Sequence, residues 1–244
     1  MEGNMNYFEI FKDVSVVFFI AIPPWLALRK YLKNYLNRAF LTIFFITYII
    51  ATLLTQNVFP FILVVLCFYF AIKMKDNFEV LYYLRPIKEK KTEIILYCLF
   101  FRFIIYIINV FYASLLEYVG IKVKAQDIYE IFLNAGWIKV IFLFAMTVVF
   151  APIVEEFTFR HILYRGLSKK IGKQLSAALT SFLFALIHYN LAGFVSFFGI
   201  GIYNCYLYEK YGYRAAVVNH FIFNFISVLL ILLIKIFNIP TVMT

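Results

Sequence analysis

Charge is scarce in this chain. Only 15% of its 244 residues are Asp, Glu, Lys or Arg, whereas hydrophobic residues make up 64% and aromatic residues 21%. Soluble domains are closer to half apolar and a quarter charged, and they rarely expose large contiguous apolar patches. The composition therefore excludes an ordinary soluble domain and a disordered chain, and it indicates a polytopic membrane protein.

Cysteine and acidic residues are also few. The three cysteines (Cys67, Cys98 and Cys205) lie inside apolar runs, which excludes a disulfide scaffold and is typical of small core residues. Thirteen acidic residues against 23 basic ones leave a net charge of +10. We attribute this excess to basic loops on one side of a membrane, and we expect no nucleic-acid partner.

Long runs without charge predict an all-α fold with about eight transmembrane helices that enclose an intramembrane cavity. One span needs about 20 residues. The predicted spans lie within Val14–Leu28, Ala39–Ile72 (two spans, turning at 55–57), Ile94–Leu116, Trp137–Val154 with an extension toward Ser168, Gln174–Tyr208 (two spans, turning at 189–190) and Ala215–Ile234. Residues 1–136 would hold the first four helices and 137–244 the last four, within one membrane domain.

The basic residues predict the orientation of these spans. With eight spans and an external N-terminus, 17 of the 23 basic residues fall on one side, five on the other and Arg102 within a span. Because basic residues accumulate in cytoplasmic loops, both termini are expected outside. The predicted location is the cell membrane, as a multi-pass protein in contact with lipid.

Ionisable groups inside a membrane are costly and usually functional. Glu156 and Arg160 are four residues apart, so they can pair on one helix face. Glu155 then points elsewhere and is free to act as a general base. The alternative without a catalytic role is that both carboxylates lie at a solvated helix end.

Three further polar side chains lie on later helices. Glu155 and His188 lie 17 and 16 residues from a predicted turn at Gly172, so antiparallel helices would hold them at one height, where they could share a water. His220 and Asn224 share a helix face and could donate hydrogen bonds to an oxyanion. Alternatively, His188 is a core residue bonded to a backbone carbonyl, and the other two are polar links between helices.

Together these residues resemble the CPBP intramembrane proteases, a family that includes the CAAX prenyl-protein endopeptidase and bacterial bacteriocin-processing or immunity proteins. EEFTFR at 155–160 matches the EExxxR motif, Phe184–His188 matches FxxxH and His220–Asn224 matches HxxxN. The stretch 199–210 also looks like the family's seventh-helix pattern. The resemblance covers roughly Val149–Ser227.

The resemblance implies an intramembrane endopeptidase that hydrolyses a peptide bond of a membrane-associated peptide or protein. Glu155 would activate a water, and His188 would orient that water or take its proton. His220 and Asn224 would stabilise the oxyanion of the tetrahedral intermediate.

The same resemblance assigns a structural role to Glu156 and Arg160, which would hold the motif helix in register. His161 departs from the family, because many members have Gly after the Arg. Arg160 and Arg165 lie on the cytoplasmic side of the acidic pair, and charges there need water or partners. We therefore expect a hydrated cleft that opens to the cytoplasm. For Arg102 we expect a structural partner.

Several alternatives remain open at this stage. The chain has no HExxH, GxSxG or GxGD signature. No cofactor is expected, but Glu155, His188 and His220 could instead form a His₂Glu zinc site with one open position. The chain could also be a non-catalytic membrane regulator or a bacteriocin-immunity protein that acts by binding a partner. A transporter is less favoured, since no internal repeat is evident.

Overall fold

The computed structural model describes residues 7–55, 57–85, 91–121 and 127–239. In these ranges the chain is helical and contains no strand, which confirms the all-α prediction. We number the helices α1 (7–32), α2 (Arg38–Thr55), α3 (Val58–Lys73), α4 (Asn77–Leu84), α5 (Lys91–Tyr118), α6 (Asp127–Asn134), α7 (Trp137–Ile171), α8 (Lys173–Leu186), α9 (Phe194–Tyr211) and α10 (Tyr213–Phe237).

Five of the described helices are long and apolar enough to cross a membrane: α1, α2, α5, α7 and α10. Helix α3 is apolar but shorter. Helix α8 has 14 residues, fewer than the about 20 that a span needs, and α9 includes Asn204 and the charged pair Glu209–Lys210. The protein is therefore a multi-pass membrane protein, and the count of eight spans stays a prediction.

Large apolar side chains cover the outside of the bundle. On α5, Phe111 is 73% exposed, and on α7, Ile138 is 89% exposed. In water such a surface would promote aggregation. Lipid tails, by contrast, are as apolar as a protein core and solvate it. The outer surface thus has the character that composition predicts for a membrane protein.

Two widened turns of π-helix lie directly before prolines. Val17–Ala21 precedes Pro23 and Pro24 in α1, and Ala145–Phe150 precedes Pro152 in α7. A proline lacks an N–H and crowds the carbonyl four residues earlier, so the preceding turn closes with i→i+5 bonds instead.

The last four helices form two tight hairpins, α7 with α8 and α9 with α10. Their turns lie at Gly172 and Gly212, with φ of +82° and +89°, a conformation that favours glycine. The turn predicted at Gly172 and the break predicted at 189–190 are both present. Helices α8 and α9 approach closely, because a Cβ on Gly201 would lie 2.9 Å from the Cα of Ser181.

Two short helices, α4 and α6, lie in the more polar segments between the long apolar helices. Helix α4 lies in the basic segment 74–91, where a surface loop or interfacial helix is expected. Asp76 caps it by accepting a bond from the Glu79 N–H at 3.3 Å, and the Nζ of Lys30 in α1 lies 2.6 Å from Asp76 Oδ2. Helix α6 lies in the predicted external loop and packs against α10. The loop stretches 86–90 and 122–126 and the turn residue 56 fall outside the described residues.

Candidate active site

The acidic pair lies where α7 changes its winding. A regular α-helical turn, Ala151–Glu156, is followed by a π-helical segment, Phe157–Tyr164. Glu156 is fully buried, whereas the Glu155 side chain keeps 13% of its surface exposed. The two neighbouring carboxylates therefore have different environments, as the 100° rotation between successive helical residues predicts.

Glu156 is the centre of a buried polar network. Its Oε1 accepts hydrogen bonds from Asn204 Nδ2 and His220 Nδ1, both at 2.8 Å, and its Oε2 lies 3.1 Å from Arg160 Nε. Asn219 extends the network by donating to Asn204 Oδ1 at 2.7 Å. The predicted Glu156–Arg160 pair is confirmed. The sequence did not indicate the two asparagines, although a polar residue inside an apolar span is itself a signal.

Glu155 has no such network. Its Oε2 is buried without a hydrogen-bond partner among the described residues, and it lies 3.7 Å from His220 Nε2. That separation is too long for a direct hydrogen bond and suits a bridging water. His220 thus presents Nδ1–H to Glu156 and turns its other nitrogen toward Glu155.

Arg160 is fully buried, and its charge has two sources of compensation. One is the Glu156 carboxylate. The other is the ring of Phe184, whose centroid lies 4.6 Å from the guanidinium carbon. Each arginine thus has a carboxylate partner, but the guanidinium nitrogens of Arg160 are buried without a hydrogen-bond partner among the described residues, so the hydrated cleft stays a prediction.

His188 lies in the turn that follows α8, not within the helix as predicted, because α8 ends at Leu186. Its Nδ1 lies 2.6 Å from the carbonyl oxygen of Phe184, and its ring stacks on Phe197 with centroids 4.0 Å apart. This hydrogen bond to a backbone carbonyl is the one expected if His188 is a core residue, which was the alternative to a catalytic role. Glu155 and His188 form neither an ion pair nor a hydrogen bond, so contact through one water stays a prediction.

The geometry nevertheless leaves His188 a chemical function. A carbonyl oxygen only accepts, so Nδ1 must carry the proton, and in the neutral ring Nε2 keeps its lone pair. The Phe184 ring packs against both imidazoles, with its centroid 4.7 Å from that of His188 and 5.6 Å from that of His220. Both histidines thus belong to one cluster around Phe184.

Asn224 follows His220 by one turn of α10. Its Nδ2 donates to the carbonyl oxygen of Thr147 at 2.8 Å, which links α10 to the π-helical turn of α7. One amide hydrogen remains available. Asn224 and Thr147 also line a cavity of about 280 Å³. Asn224 therefore serves as a link between helices and also faces an open space.

His161, the departure from the family pattern, anchors α4 to the motif helix. Its Nε2 lies 2.7 Å from Glu79 Oε2, and its Nδ1 lies 2.9 Å from the hydroxyl of Tyr208. Arg165 donates to both oxygens of Glu79, at 3.2 and 2.9 Å. Burial alone would raise the pKa of Glu79, but the bonds from His161 and Arg165 outweigh it and hold this pKa well below its usual range.

A zinc site was the open alternative for the catalytic cluster. Within the described ranges, no three His, Cys, Asp or Glu side chains are placed to hold a metal ion. Glu155 and His220 approach each other to 3.7 Å, whereas His188 is bonded to the carbonyl oxygen of Phe184. The metal-bound form thus has two of its three proposed ligands close together.

The comparisons with known proteins bear on the motif-bearing half of the chain. A family model described as "Type II CAAX prenyl endopeptidase Rce1-like" matches residues 137–226. Searches of curated proteins and of solved structures gave no match. The matched segment contains all six motif side chains, and the Rce1-like proteins are a protease family. This match supports the membership of the chain in the CPBP family of intramembrane proteases.

Proposed function

We propose that this protein is an intramembrane endopeptidase of the cell membrane that hydrolyses a peptide bond of a membrane-associated peptide or protein. One observation carries the proposal. Of two adjacent carboxylates, Glu156 accepts two hydrogen bonds on Oε1 and pairs through Oε2 with Arg160, whereas the buried Oε2 of Glu155 has neither and lies 3.7 Å from an imidazole nitrogen. A structural carboxylate would gain nothing from being left unpaired.

In the proposed reaction, Glu155 takes a proton from a water as the water oxygen attacks the peptide carbonyl. The new C–O bond forms and the carbonyl oxygen becomes an oxyanion. The free amide hydrogen of Asn224 and the Nε2 of His220 stabilise this oxyanion. When the C–N bond breaks, the proton held by Glu155 passes to the leaving amine.

The two histidines differ in the proton that each ring nitrogen carries. His220 donates Nδ1–H to Glu156, so its Nε2 can donate to an oxyanion only in the doubly protonated ring. His188 donates Nδ1–H to a carbonyl, so its Nε2 can accept from the attacking water and orient it. Glu156 acts through His220 and Arg160, so it is a positioning residue.

We propose that the water is held by protein groups without a metal. The support is that, among the described residues, no three His, Cys, Asp or Glu side chains are placed to hold a metal ion. Zinc bound by Glu155, His188 and His220 is the competing form, and it would activate the same water. Metal analysis of the purified protein decides between them: stoichiometric zinc, with activity lost on chelation and restored by metal, would favour the zinc form.

The test of the function is a comparison of membrane peptides. Proteoliposomes containing the wild-type protein or Glu155→Gln are incubated with membrane extracts, and new peptide termini are identified by mass spectrometry. Glu117→Gln is the matched control, because it makes the same change at an exposed position of α5. We expect new termini with the wild type and the control but not with Glu155→Gln. Identical peptide sets in all three would favour a non-catalytic partner-binding protein.

A further inference from the structure

A groove between α1 and α2 lies apart from the motif residues. Its volume is about 400 Å³, which is within the range of small-molecule sites. The side chains that line it include four large apolar ones and two cations: Trp25, Leu26, Leu41, Phe45, Arg29 and Arg38. The groove therefore combines apolar walls with positive charge.

The two arginines lie at one end of this groove. Arg29 is in the last turn of α1 and follows the other α1 residues that line the groove, whereas Arg38 begins α2 and precedes the others there. Both arginines are thus next to the turn that joins the two helices. From Arg38 to Phe45 the groove extends about 10 Å along α2 at the helical rise. The charged end is at the turn, and the apolar part extends from it along both helices.

Packing between the two helices fixes the shape of the apolar part. The Trp25 side chain is 5% exposed, and its ring centroid lies 5.3 Å from that of Phe45. Tyr48 in α2 donates its hydroxyl to the carbonyl oxygen of Ala21 in α1 at 2.9 Å. Leu26, in contrast, is 54% exposed, so the groove is open toward the bilayer. A ligand that enters from the bilayer would find the walls already ordered, which lowers the cost of binding.

The charges of Arg29 and Arg38 are not neutralised within the protein. Both side chains are exposed, and neither guanidinium forms an ion pair or a hydrogen bond with another residue that the structure describes. The neighbouring cation differs in this respect, because Lys30 Nζ lies 2.6 Å from Asp76 Oδ2. Two arginines at the end of an apolar groove therefore remain available to an external anion.

We propose that this groove binds one anionic phospholipid, with its phosphate held by Arg29 and Arg38 and an acyl chain along the apolar walls. The planar N–H fork of arginine matches the oxygens of a phosphate. Basic pockets between transmembrane helices on the cytoplasmic side are typical sites for such head groups, and the distribution of basic residues predicts that this turn faces the cytoplasm. The site goes beyond the proposed proteolysis and does not depend on it.

The chemistry of the groove disfavours two other ligands. A phosphatidylcholine head group carries its own cation, which two arginines would repel. A free phosphate ester would contact the arginines but leave the apolar walls uncovered, so it would gain nothing from them. An anionic head group with an acyl chain satisfies both parts of the groove.

Native mass spectrometry of the purified protein in detergent tests the site. The ligands are dioleoyl phosphatidylglycerol, dioleoyl phosphatidylcholine with the same chains, and glycerol 3-phosphate, which has no chains. A micelle has no anionic bilayer surface, so general attraction to a charged membrane does not contribute. The variants are the double changes of Arg29 and Arg38 to Met or to Lys, and Leu26→Trp, which places a larger ring at the open wall. The matched control is Lys170→Met with Arg214→Met, since both cations are exposed on the same side and neither lines the groove.

We expect the wild type to bind one phosphatidylglycerol roughly 10- to 100-fold more tightly than phosphatidylcholine, the scale of hydrogen bonds to charged groups. This ratio should fall toward one in the double Met variant and decrease partly in the double Lys variant, because Lys keeps the charge but not the fork. Leu26→Trp should weaken both lipids, and the control should keep the wild-type ratio. No preference in the wild type, or an equal loss in the control, would overturn the proposal. Glycerol 3-phosphate binding as tightly as phosphatidylglycerol would overturn it in favour of a free phosphate ligand.

Thermal unfolding separates this site from the proteolytic function. A ligand that binds only the folded state raises the unfolding temperature, so phosphatidylglycerol should raise it in the wild type and in Glu155→Gln alike. The double Met variant should show no such rise, although without lipid it should unfold at the wild-type temperature because its arginines are exposed and unpaired. An equal rise in the double Met variant would refute the site even if peptides are cleaved.

Discussion

The same substitution, Glu to Gln, is expected to have different effects at the adjacent residues Glu155 and Glu156. Glu155→Gln should leave stability nearly unchanged and remove activity, whereas Glu156→Gln should lower both. Both changes keep the side-chain shape and remove a negative charge. Differences between the two variants therefore report what surrounds each carboxylate.

The magnitudes follow from the contacts. Glu156→Gln leaves the fully buried Arg160 without its counter-charge and puts an amide where His220 donates. Breaking a buried ion pair by removing one partner costs about 3–5 kcal/mol, which corresponds to roughly 6–20 °C in unfolding temperature for a chain of this size. Glu155 Oε2 has no hydrogen bond to lose. Loss of a general base lowers turnover about 10²- to 10⁴-fold.

The assay combines thermal unfolding of the purified variants in detergent micelles with peptide cleavage in proteoliposomes. Glu117→Gln serves as the control in both measurements, because Glu117 is exposed at the end of α5. If Glu155→Gln destabilises the protein as much as Glu156→Gln does, Glu155 has a structural role that the contacts do not show. Full activity of Glu155→Gln on a natural peptide would refute the assignment of the base.

Four further outcomes are expected. Arg160→Ala should resemble Glu156→Gln in both unfolding temperature and activity, since it removes the other half of the pair. Asn224→Ala should lower turnover roughly 10²- to 10³-fold in the cleavage assay, as loss of an oxyanion donor does. A chelator should leave cleavage unchanged in protein that is free of metal. The pKa of Glu79 is lower in the folded protein than in the unfolded chain, so ionised Glu79 stabilises the fold above its ordinary pKa, and this stabilisation is lost as the pH falls below that value. In thermal unfolding, Glu79→Gln should therefore lose less stability on acidification than the wild type does.

Local patterns made part of the site predictable from sequence. The Glu156–Arg160 pair depends on a spacing of four within one helix, and the turns at Gly172 and Gly212 depend on a residue type that accepts positive φ. The polytopic all-α class depends on runs of apolar residues. Each of these features involves residues that are close together in the chain.

Features that depend on helix winding or on distant partners were not predictable in this way. Counting 1.5 Å per residue from Gly172 to Glu155 assumes an uninterrupted α-helix, but eight of those residues, Phe157–Tyr164, are π-helical. No proline directly follows this segment to indicate it, unlike the other two π-helical turns. The count also placed His188 in a helix that ends at Leu186.

Long-range contacts account for the remaining differences. Glu79 precedes His161 by more than eighty residues and lies in a segment that reads as a basic surface loop. Nothing in the sequence connects these two residues. Asn204 lies in the stretch that resembles the family's seventh-helix pattern, but its bond to Glu156 depends on how α9 packs against α7. The physical reason is common to both cases, because a buried polar contact is specified by tertiary packing and not by local spacing.

The distribution of charge separates the supporting groups from the reacting ones. Below the acidic pair, Arg160 has Glu156 and Arg165 has Glu79, so each buried cation on α7 has its own anion. Two partly buried charges near the motif residues lack such a partner among the described residues: the carboxylate of Glu155, which faces only an imidazole, and the guanidinium of Arg102, which has a hydroxyl and a ring. If these two charges served stability alone, pairing them with each other would stabilise both. Instead they lie near His220 and Ser227, about 10 Å apart along one face of α10. Each charge therefore stands among groups that do not neutralise it, and the Glu155→Gln variant tests whether its carboxylate is kept for the reaction.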